Sequence, residues 1–426
     1  MHQKPTINED MLSQIPALKL LVSMGWQYIS PDQALEARGG RSSNVLLEEV
    51  LRVQLDKLNS IEYQGHEYPF SAAGIEEAIL AVRELPVHEG YIKANQTLYE
   101  LLTLGKSIDQ RIGDYRSSFT MRYIDWEHPE NNSYHVTEEF SVLRHGMSKS
   151  YRPDLVLFVN GIPLVVIECK SPSIKQPIDK AIEQHLRNQE VDGIRSLYQY
   201  SALLMALSKN EAMYATTGTS KAFWSVWKEM FPNDETRADH EEALFALKQE
   251  APPADLHGAL FRDHWDWYLR EIEAQDQGEK GVTFQDRSLY GLCRPERLLE
   301  LMRDFTVYDN GEKKVARYQQ YFAVKNTLRR IATIQPDGKR RGGVIWQTQG
   351  SGKSLTMVML AQLIANHPDI KNPRIVLVTD RIDLDDQISD TFKKCEQEVR
   401  QAKTGASALI RKKLSGARLS ENELKN

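Results

Sequence analysis

Apolar positions in the N-terminal part of the chain follow first a helical and then an extended pattern. Residues 45–55 carry apolar side chains three and four positions apart, which predicts a helix. Similar patterns predict helices around residues 71–84 and 95–106. Residues 134–143 alternate in steps of two, which is typical of a strand. The predicted helices therefore come before the predicted strands.

Two continuous apolar segments follow, and they predict buried strands. Residues 155–159 and 165–167 consist of Val, Leu, Ile and Phe, the composition of strands that are covered on both faces. The Asn-Gly pair between them is a hairpin signal. Residues 178–209 then predict a helix, and residues 212–218 a strand and a turn. The order of helix, three strands, helix and strand indicates an α/β protein.

Charged side chains stand at the edges of these apolar segments. Asp154 precedes the first segment, and Glu168 and Lys170 end the second. Glu168 and Lys170 share one face of a strand, while Cys169 points to the other face. Because ionised side chains are rarely buried unless they are paired or bind a metal, this group predicts a divalent-metal site suited to phosphodiester hydrolysis. The alternative is a solvated ion pair beside an ordinary turn.

The loop between the two segments decides whether the acids share a face. A two-residue turn would place Asp154 and Glu168 on opposite faces of the sheet. A three-residue loop at residues 160–162, with a left-handed residue and a bulge, would pair Val159 with Pro163 and Asp154 with Glu168. We therefore predict the three-residue loop.

Composition narrows the class of protein. The 426 residues, 41% of them apolar, suggest two or three globular domains. No run of about eighteen apolar residues and no signal-peptide pattern is present, so we expect a cytoplasmic protein without a membrane partner. Cys169, Cys293 and Cys395 are too far apart for a disulfide framework or a zinc site. A net charge of -5 argues against a generally basic surface, although residues 339–341 and 411–413 could contact phosphates.

A second motif predicts a phosphate-binding loop. Residues 347–354 (Gln-Thr-Gln-Gly-Ser-Gly-Lys-Ser) lie between the apolar residues 343–346, which predict a strand, and the helical pattern of residues 355–365. Small residues at a helix start let backbone N–H groups turn toward phosphate. Lys353 would then reach the β- and γ-phosphates, and the Ser354 hydroxyl would join the Mg²⁺ shell. The alternative is a surface loop without a ligand.

Two neighbouring segments agree with a nucleotide site. Residues 317–323 predict a helix on which Gln320 could read the adenine edge, the alternative being a solvent-facing glutamine. Residues 374–381 predict a buried parallel strand that ends in charges. Gln347 replaces the first glycine of the usual phosphate-loop motif. The candidate nucleotide-binding residues are Gln320, Thr348, Gln349, Gly350, Ser351, Gly352, Lys353 and Ser354.

Together these motifs resemble the restriction subunit, which combines endonuclease and motor, of type I restriction-modification enzymes. The resemblance covers nearly the whole chain and includes residues 125–132 and 216–219. It implies a PD-(D/E)xK nuclease domain at residues 1–230, in which a mixed sheet is flanked by helices. An ordered connector at residues 231–300 and an incomplete superfamily 2 RecA-like P-loop domain at residues 301–426 would follow.

The resemblance also implies roles for single residues. Asp154, Glu168 and Lys170 match the nuclease triad, in which the two acids hold Mg²⁺ and the lysine orients the attacking water. Gln184 matches the glutamine of a Gln-x-x-x-Tyr pattern on the following helix, where it would position rather than react. Asn188 stands where that pattern has tyrosine.

The implied function is that of an ATP-dependent type I restriction endonuclease, a defence against foreign DNA. It would cleave double-stranded DNA with Mg²⁺ and ATP as cofactors, and ATP hydrolysis would drive DNA translocation in the full complex. Methyltransferase and specificity subunits would be its partners and would choose the target.

Several questions stay open in the sequence. Because no Asp-Glu-x-His motif follows the phosphate loop before Asn426, we expect weak nucleotide binding at most and no motor activity of this chain alone. An incomplete RecA-like sheet would leave an unpaired edge or an uncovered apolar face, so we also expect aggregation or disorder beyond about residue 395. An acid of the first predicted helix, Glu48 or Glu49, is a further candidate for the nuclease site. The other interpretations are a nuclease-helicase of another restriction system and a catalytically silent fragment that acts as an assembly module.

Overall fold

The computed structural model describes residues 13–251, 281–379 and 382–395, together with residues 253 and 256. The chain forms two compact units. The first comprises Met1–Val307 and Gly311–Lys325, and the second comprises Tyr308–Asn310 and Asn326–Asn426.

The described helices and strands agree with an α/β protein. The helices are α1 (Ile15–Ser23), α2 (Pro31–Ala37), α3 (Glu48–Leu58), α4 (Ala72–Arg83), α5 (Tyr91–Leu104), α6 (Pro177–Asn188), α7 (Arg195–Tyr198), α8 (Asp234–Gln249), α9 (Phe284–Cys293), α10 (Pro295–Asp304), α11 (Tyr318–Ala332), α12 (Lys353–Asn366) and α13 (Ile382–Lys394). The strands are β1 (Gln27–Tyr28), β2 (Ser60–Tyr63), β3 (His66–Pro69), β4 (Lys106–Ile112), β5 (Tyr115–Met121), β6 (Tyr134–Glu138), β7 (Val142–Leu143), β8 (Ser150–Tyr151), β9 (Leu155–Val159), β10 (Ile162–Cys169), β11 (Leu203–Ser208), β12 (Glu211–Ala215), β13 (Thr306–Asp309) and β14 (Glu312–Val315). The three helices predicted first are α3, α4 and α5, with ends shifted by a few residues.

A six-stranded mixed sheet forms the centre of the first unit. Its order is β1–β6–β9–β10–β11–β12. β6, β9 and β10 are antiparallel neighbours, α6 then crosses over, and β11 returns parallel to β10. Every residue of β9, β10 and β11 is buried, because α6 packs on one side of these strands and α9 contacts β11 and β12. The predicted mixed sheet flanked by helices is confirmed.

The predicted helix over residues 178–209 is wrong in its last part. It divides into α6 and α7, and Leu203–Ser208 is the buried strand β11. Its Leu-Leu-Met-Ala-Leu-Ser sequence has helix-forming residues, but pairing with β10 and β12 overrides that preference. A strand buried on both faces has a continuous apolar run, and periodicity cannot distinguish it from a buried helix.

The two strands predicted around the phosphate loop are also absent from the described part of the second unit. Residues 343–346 and 374–379 form no strand. Val344 and Trp346 are each 91% exposed, and Val376 and Val378 each 66%. The described residues of this unit supply no ladder partner for these segments, so their apolar side chains face solvent. The predicted disorder beyond residue 395 concerns residues outside the described ranges.

Two expectations from composition concern thiols and membranes. Cys169, Cys293 and Cys395 are free and buried. Within the described ranges, no helix combines the length and the apolar character needed to cross a bilayer.

Candidate nuclease site

The turn that joins β9 to β10 has two residues, so the predicted three-residue loop is wrong. Val159 pairs with Ile162. Asn160 and Gly161 between them have φ angles of 50° and 82°. Two successive left-handed residues are typical of a type I′ turn, which matches the twist of the strands on either side. The Asn-Gly pair therefore forms the two-residue turn that it usually forms in hairpins.

A bulge in β10 nevertheless restores the pairing that the two acids need. The register shifts between Pro163 and Val165, so β10 carries one more residue there than β9. Proline has no N–H group for the ladder and is tolerated at bulges. Beyond the bulge, Ile167 pairs with Leu155, and one further step along both chains places Asp154 opposite Glu168. The expected pairing of the acids agrees with the structure, although the extra residue lies in the strand and not in the loop.

The carboxyl groups of Asp154 and Glu168 are in hydrogen-bond contact. Glu168 is fully buried and Asp154 is 9% exposed. Burial raises the pKa of Glu168 well above its usual value, the charge of Asp154 raises it further, and Lys170 acts in the opposite direction. Two buried carboxyl groups in contact cannot both ionise easily, and a cation bound between them would favour the doubly ionised pair.

Cys169, the last residue of β10, and Lys170 after it hold Asp154 in place. The backbone N–H of Cys169 donates to Oδ2 of Asp154 at 2.6 Å. Lys170 Nζ lies 3.6 Å from the same oxygen and donates to the carbonyl of Cys169 at 2.8 Å. The Cys169 thiol is fully buried, and burial raises its pKa well above the usual value. The structure thus brings the three predicted triad residues together.

Helix α6 supplies two amide groups to Glu168. Gln184 Nε2 donates to Oε2 at 2.5 Å, and Asn188 Nδ2 donates to Oε1 at 3.1 Å. Residues four positions apart lie on one face of a helix, so both amides point at the same carboxylate. Gln184 lies where it was predicted to lie. Asn188 contacts the site as well, although it is not the expected tyrosine.

Neither acid of the first predicted helix joins this site. Helix α3 starts at the turn end of the hairpin, where the N–H of Leu47 donates to the carbonyl of Gly161 at 2.9 Å. The length of β9 separates that end from Asp154 by roughly 17 Å. Glu48 instead binds Arg83, with Nη2 2.6 Å from Oε2, and Glu49 is exposed.

Sequence reasoning missed a buried acid near the same end of the sheet. Glu138 is 7% exposed, and it pairs with Leu155 and so faces away from Asp154. Tyr28 donates its hydroxyl to Oε1 of Glu138 at 3.1 Å, and Gln14 Nε2 lies 3.4 Å from Oε2. A glutamate at the end of an apolar strand pattern was the available signal. Glu138 belongs to the packing of α1 and β6 and not to the carboxyl pair.

Residues 125–132, which contribute to the family resemblance, have a structural role at the turn end of the sheet. Asp125 Oδ1 accepts backbone N–H groups of Glu127 and His128. Asn132 Oδ1 accepts the N–H of Asp125 and the Nδ2 group of Asn160. This loop therefore fixes the hairpin turn and takes no part in the carboxyl pair.

The phosphate loop of the second unit has the backbone form that the motif requires. Gly350 and Gly352 have φ angles of 76° and 80°, and α12 begins at the next residue, Lys353. Lys353 Nζ donates to the carbonyl of Thr348 at 2.9 Å, and the Ser351 hydroxyl donates to the same oxygen at 2.7 Å. The loop is largely exposed, and its lysine lies over the backbone of its own turn.

The remaining predicted nucleotide residues have local contacts. Gln349 is exposed in the turn, and Ser354 is half-buried in the first turn of α12. Gln347 Nε2 donates to Oγ1 of Thr356 at 3.4 Å. Gln320 is buried in the first unit, and its Oε1 accepts the N–H of Arg317 at 2.8 Å at the start of α11.

The donor set of the carboxyl pair fits a magnesium ion. Among the residues that the structure describes, no group of three or more His, Cys, Asp or Glu side chains is arranged to hold a metal. Asp154 and Glu168 offer oxygen ligands only, which suits Mg²⁺ and does not suit zinc. Mg²⁺ commonly takes one or two carboxylates and completes its shell with water and substrate phosphate, so a pair of acids is sufficient.

Two family models match successive parts of this chain. The family model for the type I restriction enzyme R protein N terminus matches residues 6–223, and the SWI2/SNF2 ATPase model matches residues 319–420. The type I restriction enzyme HindI endonuclease subunit of Haemophilus influenzae is 28% identical over 406 residues, which is 93% of this chain and 34% of that protein. The MjaIXP endonuclease subunit of Methanocaldococcus jannaschii is 28% identical over 327 residues, or 75% of this chain and 28% of that protein.

A third relative has lower identity and is also named as a type I restriction enzyme endonuclease subunit. The type I restriction enzyme SsaAORF53P endonuclease subunit of Staphylococcus saprophyticus is 22% identical over 283 residues, 66% of this chain and 24% of that protein. The chain thus spans about a third or less of the length of these relatives. Because the first family model extends over all six strands of the mixed sheet, the chain belongs to the family of type I restriction enzyme R proteins and corresponds to their N-terminal part.

Proposed function

We propose that this chain carries the nuclease site of a type I restriction enzyme and cleaves double-stranded DNA in a Mg²⁺-dependent reaction. The observation that carries the proposal is the contact between two buried carboxyl groups at adjacent strand ends, with Lys170 Nζ 3.6 Å from Asp154. Two buried carboxyl groups in contact destabilise the folded state. Such pairs occur mainly at sites that bind a cation, transfer a proton or bind a substrate. This contact supports the PD-(D/E)xK arrangement that the sequence resemblance implies.

The roles of the residues follow from their contacts. Asp154 and Glu168 would hold Mg²⁺, which supplies a Lewis acid for the scissile phosphate and lowers the pKa of a water molecule. Lys170 would orient the attacking water and stabilise negative charge as it develops on the phosphate. Gln184 and Asn188 keep the two oxygens of Glu168 in fixed positions through their amide hydrogens.

We further propose that residues 348–354 bind the phosphates of ATP. The left-handed glycines and the start of α12 turn backbone N–H groups toward an anion. Lys353 would exchange the Thr348 carbonyl for a phosphate, and the Ser354 hydroxyl would join the Mg²⁺ shell. The match to the SWI2/SNF2 ATPase model supports this assignment.

The remaining parts of the proposal come from the family. The relatives are named as endonuclease subunits of type I restriction enzymes, which supports DNA as the substrate. In a full-length protein, ATP hydrolysis would move DNA past the nuclease site. Methyltransferase and specificity subunits would bind the chain in the cytoplasm and choose the target sequence.

Cleavage of supercoiled plasmid by the chain with and without Mg²⁺ tests the nuclease site. Asp154→Asn keeps a side-chain oxygen that can accept the Cys169 N–H group and removes one negative charge, so the fold should persist. We expect the Mg²⁺-dependent nicking rate to fall by about 100-fold or more, the usual size of an electrostatic contribution to catalysis. Asp109→Asn, at an exposed acid of β4, is the matched control and should cleave like the wild type.

Two results would contradict the proposal. Equal nicking by the wild type and Asp154→Asn would mean that the carboxyl pair is not the reacting site. A wild-type chain that neither nicks DNA nor binds Mg²⁺, alone and together with its proposed partner subunits, would favour the interpretation of a silent assembly module.

A further inference from the structure

Behind the carboxyl pair, a chain of buried polar side chains connects Glu168 with the backbone of β11. Its members are Asn188 and His185 of α6 and Tyr198 of α7, and each is 0% exposed. Polar groups at such depth are tolerated when every donor and acceptor is satisfied. The direction of each hydrogen bond in this chain follows from the chemistry of its members.

The first link fixes the tautomer of His185. Its Nε2 lies 2.9 Å from the carbonyl oxygen of Met205. A carbonyl oxygen only accepts, so Nε2 carries the hydrogen. Burial lowers the pKa of His185 to about 4, and the ring is neutral at physiological pH. Nδ1 therefore has a free lone pair, and the Tyr198 hydroxyl, 2.9 Å away, donates to it.

The next links fix the orientation of Asn188. Arg187 Nη2 donates to Oδ1 of Asn188 at 3.3 Å, and since a guanidinium group cannot accept, the amide cannot be turned round. Its Nδ2 group then has two hydrogens to donate. One goes to Glu168 Oε1 at 3.1 Å. The other is directed to the Tyr198 oxygen, because a side-chain hydrogen bond from Asn188 opposes the rise that burial causes in the pKa of this phenol.

We propose that Tyr198 and His185 are positioning residues for the nuclease site, because they lock Asn188 so that its amide always presents a hydrogen to Glu168. A carboxylate oxygen that permanently accepts a hydrogen bond keeps its remaining lone pair directed at a fixed point, which favours one geometry for a bound cation. The phenol that the Gln-x-x-x-Tyr pattern would place at residue 188 thus acts from α7, through an asparagine. This inference rests on the proposed nuclease function and deepens it.

Tyr198→Phe tests the positioning role with Mn²⁺ binding measured by calorimetry. The variant keeps the packed ring and removes only the hydroxyl, so Asn188 loses the partner of its second hydrogen. Loss of a residue that orients a metal ligand through hydrogen bonds commonly lowers the affinity for the metal by about 10- to 100-fold. We expect the Mn²⁺ affinity of Tyr198→Phe to fall by at least about 10-fold. The matched control is Tyr200→Phe, since the Tyr200 hydroxyl is also buried but donates to Val82 O at 2.9 Å, and its Mn²⁺ affinity should equal that of the wild type.

A double-variant cycle tests whether the effect passes through Asn188. Asn188→Ala alone should weaken Mn²⁺ binding, and adding Tyr198→Phe to it should cause no further loss, because the connecting amide is already absent. Additive losses in the double variant would overturn the inference.

The tautomer of His185 provides a readout that does not depend on metal or activity. Nitrogen-15 NMR of the wild-type chain, assigned by the loss of the signal in His185→Gln, should show hydrogen on Nε2. Hydrogen on Nδ1 would reverse the bond to Tyr198 and overturn the inference.

The outcomes also separate this inference from the proposed function. A wild-type chain that binds Mn²⁺ and cleaves DNA, with Tyr198→Phe unchanged in affinity, contradicts the positioning role alone. A wild-type chain that does not bind Mn²⁺ contradicts both the proposed function and the positioning role.

Discussion

Replacing Gly161 by alanine probes how the turn end of the β9–β10 hairpin is held against α3. A Cβ atom at this position would lie 2.5 Å from the carbonyl oxygen of Leu47 and 2.9 Å from the N atom of Leu51. Both are backbone atoms and cannot rotate away. A shift of the turn would also strain the hydrogen bond from the Leu47 N–H to the Gly161 carbonyl, 2.9 Å long.

Gly65 is the matched control. It occupies the second position of the β2–β3 turn, where Gln64 and Gly65 have φ angles of 52° and 77°, and an added Cβ would meet nothing within 4 Å. The left-handed conformation costs an L-residue about 1–2 kcal/mol at both sites. Alanine also lowers the conformational entropy of the unfolded chain, which offsets about 0.4–1 kcal/mol of this conformational cost at each of the two sites.

The difference between the two variants isolates the contact with α3. Backbone shifts forced by an extra carbon cost about 1–3 kcal/mol, and they apply to Gly161→Ala alone. Loss of the Leu47 hydrogen bond would add about 1 kcal/mol. We therefore expect the free energy of unfolding to fall by about 1–4 kcal/mol more in Gly161→Ala than in Gly65→Ala.

Urea unfolding followed by tryptophan fluorescence measures both losses under the same conditions. Equal losses would refute the reasoning, because they would mean that the turn does not press on the backbone of α3. A larger loss in Gly65→Ala would have the same meaning.

Two further predictions concern a buried lysine and a surface acid. Lys313 Nζ donates to Asn95 Oδ1 at 2.7 Å and to Ser201 O at 3.1 Å, and burial lowers its pKa from 10.5 to about 7. Between these values the unfolded chain holds a proton that the folded chain lacks, so the free energy of unfolding should rise with pH by up to about 1.4 kcal/mol per unit. Urea unfolding at several pH values should show this slope reduced in Lys313→Met, and an unchanged slope would contradict the assignment. Glu48→Gln removes the exposed ion pair with Arg83, so the free energy of unfolding should fall by at most about 1 kcal/mol. Plasmid nicking by this variant should equal that of the wild type. A loss of nicking in the folded variant would mean that Glu48 takes part in the nuclease site.

Local patterns in the sequence were sufficient to predict the carboxyl pair. The apolar runs of β9 and β10 locate two adjacent buried strands, and the acids stand at their ends. The four-residue spacing of Gln184 and Asn188 on an amphipathic helix was also visible. These features depend on neighbours that are close in the chain.

Features that depend on distant partners could not be predicted in the same way. The sequence predicts the extra residue in the loop at residues 160–162, whereas it lies in β10, as a bulge between Pro163 and Val165. The sequence predicts a helix where β11 lies, since only the pairing of this segment with β10 and β12 distinguishes the two structures. Tyr198 could not be connected with Glu168 from the sequence, because the link between them runs through the side chain of Asn188 and across two helices.

The bulge in β10 also limits how the length of this hairpin can change. Insertion or deletion of one residue between Asp154 and Glu168, without a second change, would turn one carboxylate to the other side of the sheet while leaving both strands apolar and able to pair. A change of two residues would leave both carboxylates on the same side. Among related proteins with this site, the segment between the two acids should therefore vary in length by even numbers of residues, whereas loops elsewhere can gain or lose residues one at a time.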